Sequence, residues 1–337
     1  MRHVTQKRMA AVFFATLAFT AMALLLGQAL GWRLSLVLLG APLLGFMIAC
    51  FEVFYFQGDR GRWLREMHPI KANAIYVLVL AVMFVLVQHA IVIADGRWAA
   101  LPGLYERYPI TLPAILSVSF VAVLLLRIVS FIGGRNVIYL LLGKYRRPVW
   151  EQKIFMFLDI TGSSKLVDKL GPEKSNLLFG KFMFDASGPI VESGGEIYRY
   201  QGDGFVAIWD CNTGATGDNV VNAVDALYAM VERERPAYEA DFGVCPDFRA
   251  GAHAGEIITC EEGDIRRNIA FYGDTINIAA RMETKAKDVG MDCVITSDVV
   301  ETLHDTGARP IKLGAERVRG IERKIELYGL NRLPNPQ

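Results

Sequence analysis

The chain has 337 residues, with 36 Lys and Arg against 35 Asp and Glu, a net charge of +1, and 53% hydrophobic residues. It carries no basic face interleaved with aromatics, so no nucleic-acid partner is expected. Cys50 lies in an apolar run and Cys211, Cys245, Cys260 and Cys293 are scattered without metal-ligand spacing, which excludes a disulfide framework or a zinc site.

Length and composition fit at least two domains, the first in a membrane. Before Gly133 the acidic residues are Glu52, Asp59, Glu66, Asp95 and Glu106, set between long apolar runs. A bilayer crossing needs about 20 apolar residues, and the runs Met9–Leu30, Leu34–Phe56, Ala72–Ile93 and Thr111–Ile132 predict four spans. The first has no small-residue cleavage site and a second follows at once, so it reads as a span rather than a signal peptide. Basic residues orient the bundle. Arg2, Lys7 and Arg8 precede the first span, Arg60, Arg62, Arg65 and Lys71 lie between the second and third, and Arg135, Lys144, Arg146 and Arg147 follow the fourth. The opposite loops hold Arg33 in one case and Arg97 and Arg107 in the other. By the positive-inside rule this is a multi-pass protein of the inner or plasma membrane, with both termini and the C-terminal domain in the cytoplasm. Within the spans Glu52 and Arg127 fall at similar depth, and either pair across the bundle or snorkel to the interface.

The predicted domains are 1–132 in the membrane, a connecting segment 133–148, a globular domain 149–330 and a tail 331–337. Asn136–Lys144 predicts a short helix, which Pro148 closes off. Beyond it strands and helices interleave. Lys153–Asp159 is a buried strand, and Ser163–Ser193 is helical with a break at Gly171-Pro172. Glu196–Tyr200 and Phe205–Trp209 form a hairpin, and Asn219–Glu234 an amphipathic helix. Phe248–His253 and Glu256–Cys260 read as two strands. A helix from Thr275, capped by Asp274 or Thr275, leads to a strand at Cys293–Thr296, a short helix from Ser297, and strands near Ile311–Val318 and Ile325–Leu330. The pattern predicts a ferredoxin-like α+β sheet.

Two aspartates carry the chemistry. Asp159 ends the apolar run Ile154–Leu158, before Ile160 and the small-residue stretch Thr161-Gly162-Ser163-Ser164. Asp203 sits in the tight turn Gln201-Gly202-Asp203-Gly204. If the first strand lies beside the hairpin, both carboxylates reach one sheet edge and can share Mg²⁺ or Mn²⁺, hard ions that bind oxygen together with substrate phosphates. Asn277 and Arg281, at i and i+4, share one helix face. The amides of Thr161–Ser164 stand at a helix start, where dipole and free N–H groups suit phosphate, although an ordinary N-cap would look the same.

Five pieces, in order, now resemble one family, the class III nucleotidyl cyclases. They are Phe157-Leu158-Asp159-Ile160, Gly202-Asp203, Arg249 through Glu256, Gly273 through Arg281, and Arg319-Gly320. Together they span roughly Val149–Leu330. The resemblance implies an adenylate or guanylate cyclase fold, with two divalent cations held by Asp159, Asp203 and the Ile160 carbonyl. It also implies that Asn277 orients the ribose, Arg281 contacts the α-phosphate in the transition state, and Arg319, where the family has Lys, binds the terminal phosphates. Arg199 and Ala270 fall where the family reads the base. Arg199 keeps a donor for adenine and offers no carboxylate to guanine, whereas the Ala270 side chain cannot hydrogen-bond. The implied function is an ATP-consuming adenylate cyclase working as a homodimer through its catalytic domain. A guanylate cyclase and a silent, cyclase-like membrane receptor are the alternatives.

Overall fold

The computed structural model describes residues 2–29, 34–56, 61, 63–64, 67–94, 96, 101–211, 216–264, 267–304, 310–317 and 324–330. Two compact units divide the chain, one of Thr5–Leu141 and one containing Leu142–Gln337.

The first unit is helical: α1 (Arg2–Ala29), α2 (Leu34–Cys50), α3 (Pro69–Ala94) and α4 (Leu101–Ile132), followed by the short α5 (Gly134–Leu142). Its core joins Phe19, Leu44, Ile48, Tyr76, Leu80, Phe84 and Ile115, while Phe13, Leu38, Leu78 and Leu86 point outward. Apolar side chains facing out around a helix are the mark of a lipid solvent. Among the described residues three helical stretches are long and apolar enough to span, Met9–Ala29, Val37–Phe56 and Lys71–Ala94, rather than the four expected. The fourth expected span falls in α4, a helix of 32 residues whose N-terminal half carries Glu106, Arg107 and, in the helix interior, Pro109 and Pro113. Several side chains of its other half, Arg127 included, lie outside the described residues. Pairing of Arg127 with Glu52 therefore falls outside them too. Glu52 itself is fully buried, at the start of a π-helical turn, Phe51–Phe56, that continues α2.

The second unit is a sheet with helices on both faces. In chain order it comprises β1 (Val149–Ile160), α6 (Ser163–Leu170), α7 (Pro172–Glu192), β2 (Glu196–Gln201), β3 (Gly204–Asp210) and α8 (Thr216–Phe242). Then come β4 (Phe248–Glu262), β5 (Asn268–Tyr272), α9 (Asp274–Val289), β6 (Cys293–Thr296), α10 (Ser297–Val300), β7 (Ile311–Arg317) and β8 (Lys324–Leu330). The strand order is β2-β3-β1-β4-β6-β8-β7, with β5 paired to β4. Alternation along β1 builds both layers. Ile154, Met156, Leu158 and Ile160 join α7 and α8 in the main core, and Phe155 and Phe157 face α9. The two expected strands at 248–260 are one, because β4 pairs with β1 without interruption from Ile160↔Phe248 to Val149↔Thr259.

That long strand is what seats α9. Its positions Gly251 and Gly255 face the helix, and a Cβ at Gly251 would collide with the backbone of Met282 and Glu283. One at Gly255 would lie 2.7 Å from the Thr275 hydroxyl oxygen. The expected side-chain cap is absent: Gly273 occupies the cap position, and the Thr275 hydroxyl instead donates to the Glu256 carbonyl at 2.6 Å. The helix is thus pinned to the strand rather than to its own first turn.

At the other end of β1, Glu151 anchors the connector. Its carboxylate accepts from Lys144 at 2.7 Å, from the buried Tyr145 hydroxyl at 3.1 Å and from Thr259 at 2.9 Å, with Lys153 at 3.2 Å. Burial alone would raise this carboxyl, but the Lys144 hydrogen bond, Lys153 and Thr259 hold it below the usual carboxylate value.

Gly251→Ala is expected to destabilise the protein by about 1–3 kcal/mol, as overpacking does where neighbouring backbone must shift. Thermal denaturation of the purified variant reads this directly, and a parental melting temperature would show that α9 does not need the close approach.

Candidate active site

The site forms where β1 ends beside the β2–β3 hairpin. Asp159 is in register with Gly204 on one side and with Arg249 on the other. Gly202, with φ of +62°, makes the tight turn, and the Asp203 carbonyl accepts the Ile160 N–H at 3.2 Å. A Cβ at Gly204 would strike the Leu158 carbonyl and come within 3.1 Å of Asp159 Oδ1. The glycine therefore lets the hairpin tip close onto the strand end, and that closure brings Asp203 against Asp159.

The Asp159 and Asp203 side chains are hydrogen-bonded to one another. Burial, then the negative charges of Asp203 and Glu283, push the Asp159 carboxyl up from 3.8 to about 6, with Arg249 acting in the opposite direction. Two hydrogen-bonded acids at a sheet edge offer the hard oxygen donors that Mg²⁺ or Mn²⁺ prefers, and a bound cation would relieve their repulsion. Among the described residues no group of three or more His, Cys, Asp or Glu side chains converges on a metal position. Backbone and substrate oxygens would have to complete the coordination.

The Thr161–Ser164 stretch follows at once. The Thr161 N–H is spent on the Asp247 carbonyl at 2.8 Å. Gly162, left-handed with φ of 69°, is the N-cap of α6, so Ser163 and Ser164 stand in its first turn. That leaves the amides of Gly162, Ser163 and Ser164, rather than the whole run, as the candidates to meet an anion. On α9, Asn277 and Arg281 are both exposed. Arg319 lies outside the described residues.

Arg199 and Ala270 come from strands far apart in the sequence, β2 and β5. Ala270 is on β5, opposite Cys260 of β4. Arg199 is exposed on β2, its guanidinium 5.6 Å from the centre of the Tyr198 ring. Tyr198 in turn donates to the Ile269 carbonyl at 3.1 Å, beside Ala270. The two expected base-reading residues are therefore joined through a tyrosine that spacing alone did not single out.

Two further residues were missed. Arg249 alternates with Gly251, His253 and Gly255 along the face of β4 that meets α9, and its Nε lies 3.6 Å from Glu283 Oε1. The pair ties the helix bearing Asn277 and Arg281 to the strand beside Asp159. Strand alternation in the sequence could have placed Arg249 on that face. Nothing in the local sequence identifies Glu283 as its partner.

Comparison with known proteins identifies the family and the fold. Residues 150–332 match the family model for the adenylate and guanylate cyclase catalytic domain. The chain is 27% identical over 304 residues to "Adenylate cyclase 2" of Rhizobium meliloti (strain 1021), covering 87% of this chain and 83% of that protein. It is 25% identical over 181 residues to "Adenylate cyclase" of Anabaena cylindrica, where the match spans 51% of this chain and only 35% of the relative. Among solved structures, a bacterial light-regulated adenylyl cyclase shares the fold with a TM-score of 0.57 at 22% identity, over 68% of this chain and 67% of that one.

The acid pair predicts a definite pH response. A carboxyl raised in the folded state favours folding below its unfolded value of 3.8, and that contribution is lost as pH rises through about 6. Cation-free protein should lose this part of its stability between those values, and Mn²⁺ should restore it near neutral pH. Melting curves of the parent and Asp159→Asn with and without Mn²⁺ test this. Identical pH and Mn²⁺ responses in the two proteins would dismiss the acid pair as their source.

Proposed function

The chain belongs to the adenylate and guanylate cyclase catalytic-domain family, and on that premise we propose that it is an adenylate cyclase forming 3′,5′-cyclic AMP and pyrophosphate from ATP. The observation that carries the reading is the closure of the Gly202–Gly204 turn onto β1, which sets the Asp203 and Asp159 carboxyls together. Asp159, Asp203 and the Ile160 carbonyl would hold two divalent cations, Mg²⁺ or Mn²⁺. Such ions, when bound, lower the pKa of the ribose 3′-hydroxyl and neutralise phosphate charge.

The protein's own groups supply the rest. The amides at the start of α6 would receive phosphate oxygens, and Arg319 would hold the terminal phosphates. Asn277 would orient the ribose so that its 3′-oxygen lies in line with the α-phosphorus and opposite the departing pyrophosphate. Arg281 would donate to the α-phosphoryl oxygens as charge builds on them. Arg199 would donate to an adenine ring nitrogen. It brings no carboxylate for the N–H donors of guanine, which favours ATP over GTP. The exposure of Asn277 and Arg281 supports a homodimer in which each site takes its carboxylates from one subunit and its Asn/Arg helix from the other. The catalytic domain would face the cytoplasm, and the helical unit would lie in the bilayer.

Full-length protein in detergent with Mn²⁺, given ATP and GTP separately, is expected to yield cyclic AMP, identified by mass. Asp203→Ala should abolish product, and Arg281→Ala should lower kcat by about 10²–10³-fold, the range for removing a donor to developing charge. Equal mixing of Asp159→Ala and Arg281→Ala chains should recover about a quarter of parental activity. Roughly half the dimers are then mixed, each with one complete site. Cyclic GMP alone would overturn the base assignment. Mixed dimers that stay inactive would overturn the shared site, and no product from a folded parent dimer would leave a silent nucleotide- or partner-binding domain.

A further inference from the structure

The β2–β3 ladder slips by one residue. Ile197 opposes Ala207, but Arg199 rather than Tyr198 opposes Val206. Tyr198 is thus the extra residue of a β-bulge. Bulges re-aim side chains and gather beside active sites. Here the consequence can be followed residue by residue. Ile197 and Ala207 belong to the core under α7 and α8, whereas Val206 and Tyr198 belong to the cluster on the α9 face. Residues opposed across a ladder share a face. The slip therefore puts Tyr198 and Arg199, consecutive in sequence, on the same face of the sheet as Phe157 and Asp159. A regular strand would have sent Arg199 to the opposite face.

Tyr198 does two things there. Its ring carries the Arg199 guanidinium at 5.6 Å. It also packs edge-on against Phe271 at 4.9 Å, and Phe271 packs on Phe155 at 5.2 Å. Its hydroxyl donates to the Ile269 carbonyl at 3.1 Å, across 71 positions of sequence. This bond fastens β5, which pairs with β4, to the edge strand β2. Phe271 and Ile269 flank Ala270, whose side chain has no polar atom.

We propose that Tyr198 is the positioning residue of the nucleobase pocket: it fixes the Arg199 guanidinium and the backbone of β5 around Ala270 as one unit, so that base discrimination rests on the aim of Arg199 and on β5 main-chain groups instead of a side chain at 270. This rests on the nucleotide-cyclase reading above. A donor held on an aromatic face is pre-organised, and less freedom is lost when it meets the base. A β5 backbone free to shift would blur the difference between an amine and a carbonyl at the purine edge.

The test compares full-length parent, Tyr198→Phe and Tyr198→Leu in detergent with Mn²⁺. It measures equilibrium binding of ATP and GTP, turnover of each, and melting temperature. Tyr198→Phe keeps the ring and loses the tie to Ile269; it should raise KM and Kd for ATP by about 2–10-fold, the worth of one hydrogen bond. Its kcat should stay near parental and its preference for ATP over GTP should shrink. Tyr198→Leu also loses the platform under Arg199 and should weaken ATP binding further. Variants that melt like the parent and keep its ATP and GTP affinities and KM values would overturn the proposal, leaving Tyr198 a packing residue. A fall in kcat with unchanged KM and selectivity would overturn it as well. If the parent binds ATP without forming product, the cyclase reading falls while the binding series still decides the role of Tyr198. A parent that binds neither nucleotide removes both.

Discussion

The close approach of α9 to β4 is the constraint on which the catalytic unit depends. Gly251 and Gly255 leave no side chain between helix and strand, so the helix backbone rests on the sheet itself. Around that contact the other fastenings take their places: Thr275 on the Glu256 carbonyl at one end, Glu283 beside Arg249 at the other. A helix fastened at its first turn through Thr275 and again at Glu283, on a strand paired with β1 from Phe248 to Thr259, has little freedom to slide. The exposed Asn277 and Arg281 are therefore presented at a set height and rotation.

The carboxylate pair is the opposite kind of feature. Burial and like charge raise Asp159 to about 6, so the fold holds the acids together against their repulsion. Backbone bonding does this, through the Ile160 amide on the Asp203 carbonyl and the side-chain-free Gly204. Structural stability is given up where the two acids meet, a pattern common where ionisable groups cluster for function. Arg249 moderates the repulsion from the neighbouring strand.

The region around Arg199 and Ala270 is built by irregularity instead. A single extra residue in β2 turns Arg199 to the working face, and one phenol joins two elements far apart in the chain. The aromatic cluster of Phe155, Tyr198 and Phe271 supplies apolar burial for this arrangement, so β5 is stabilised away from its own ladder partner.

Much of this was legible in the residues. Apolar runs separated a helical membrane part from a strand-rich domain, because burial in lipid and burial on a sheet leave different periodicities. The helix break at Gly171-Pro172 and the acidic hairpin at Gly202-Asp203 followed from local turn chemistry, which acts over a few residues. What the sequence determined by itself was thus most of the order of elements, β5 excepted, together with the tight turn that carries Asp203, the helix that carries Asn277 and Arg281, and the small-residue turn before α6. Tertiary structure alone decided that 248–262 is one strand, that α9 is pinned through Thr275 rather than capped, that Glu283 meets Arg249, and that Tyr198 bridges Arg199 and β5. Each of these depends on pairing between segments tens of residues apart, or on a one-residue slip in register. Local propensity does not encode either of them, because the energy that fixes them appears only when the sheet has assembled.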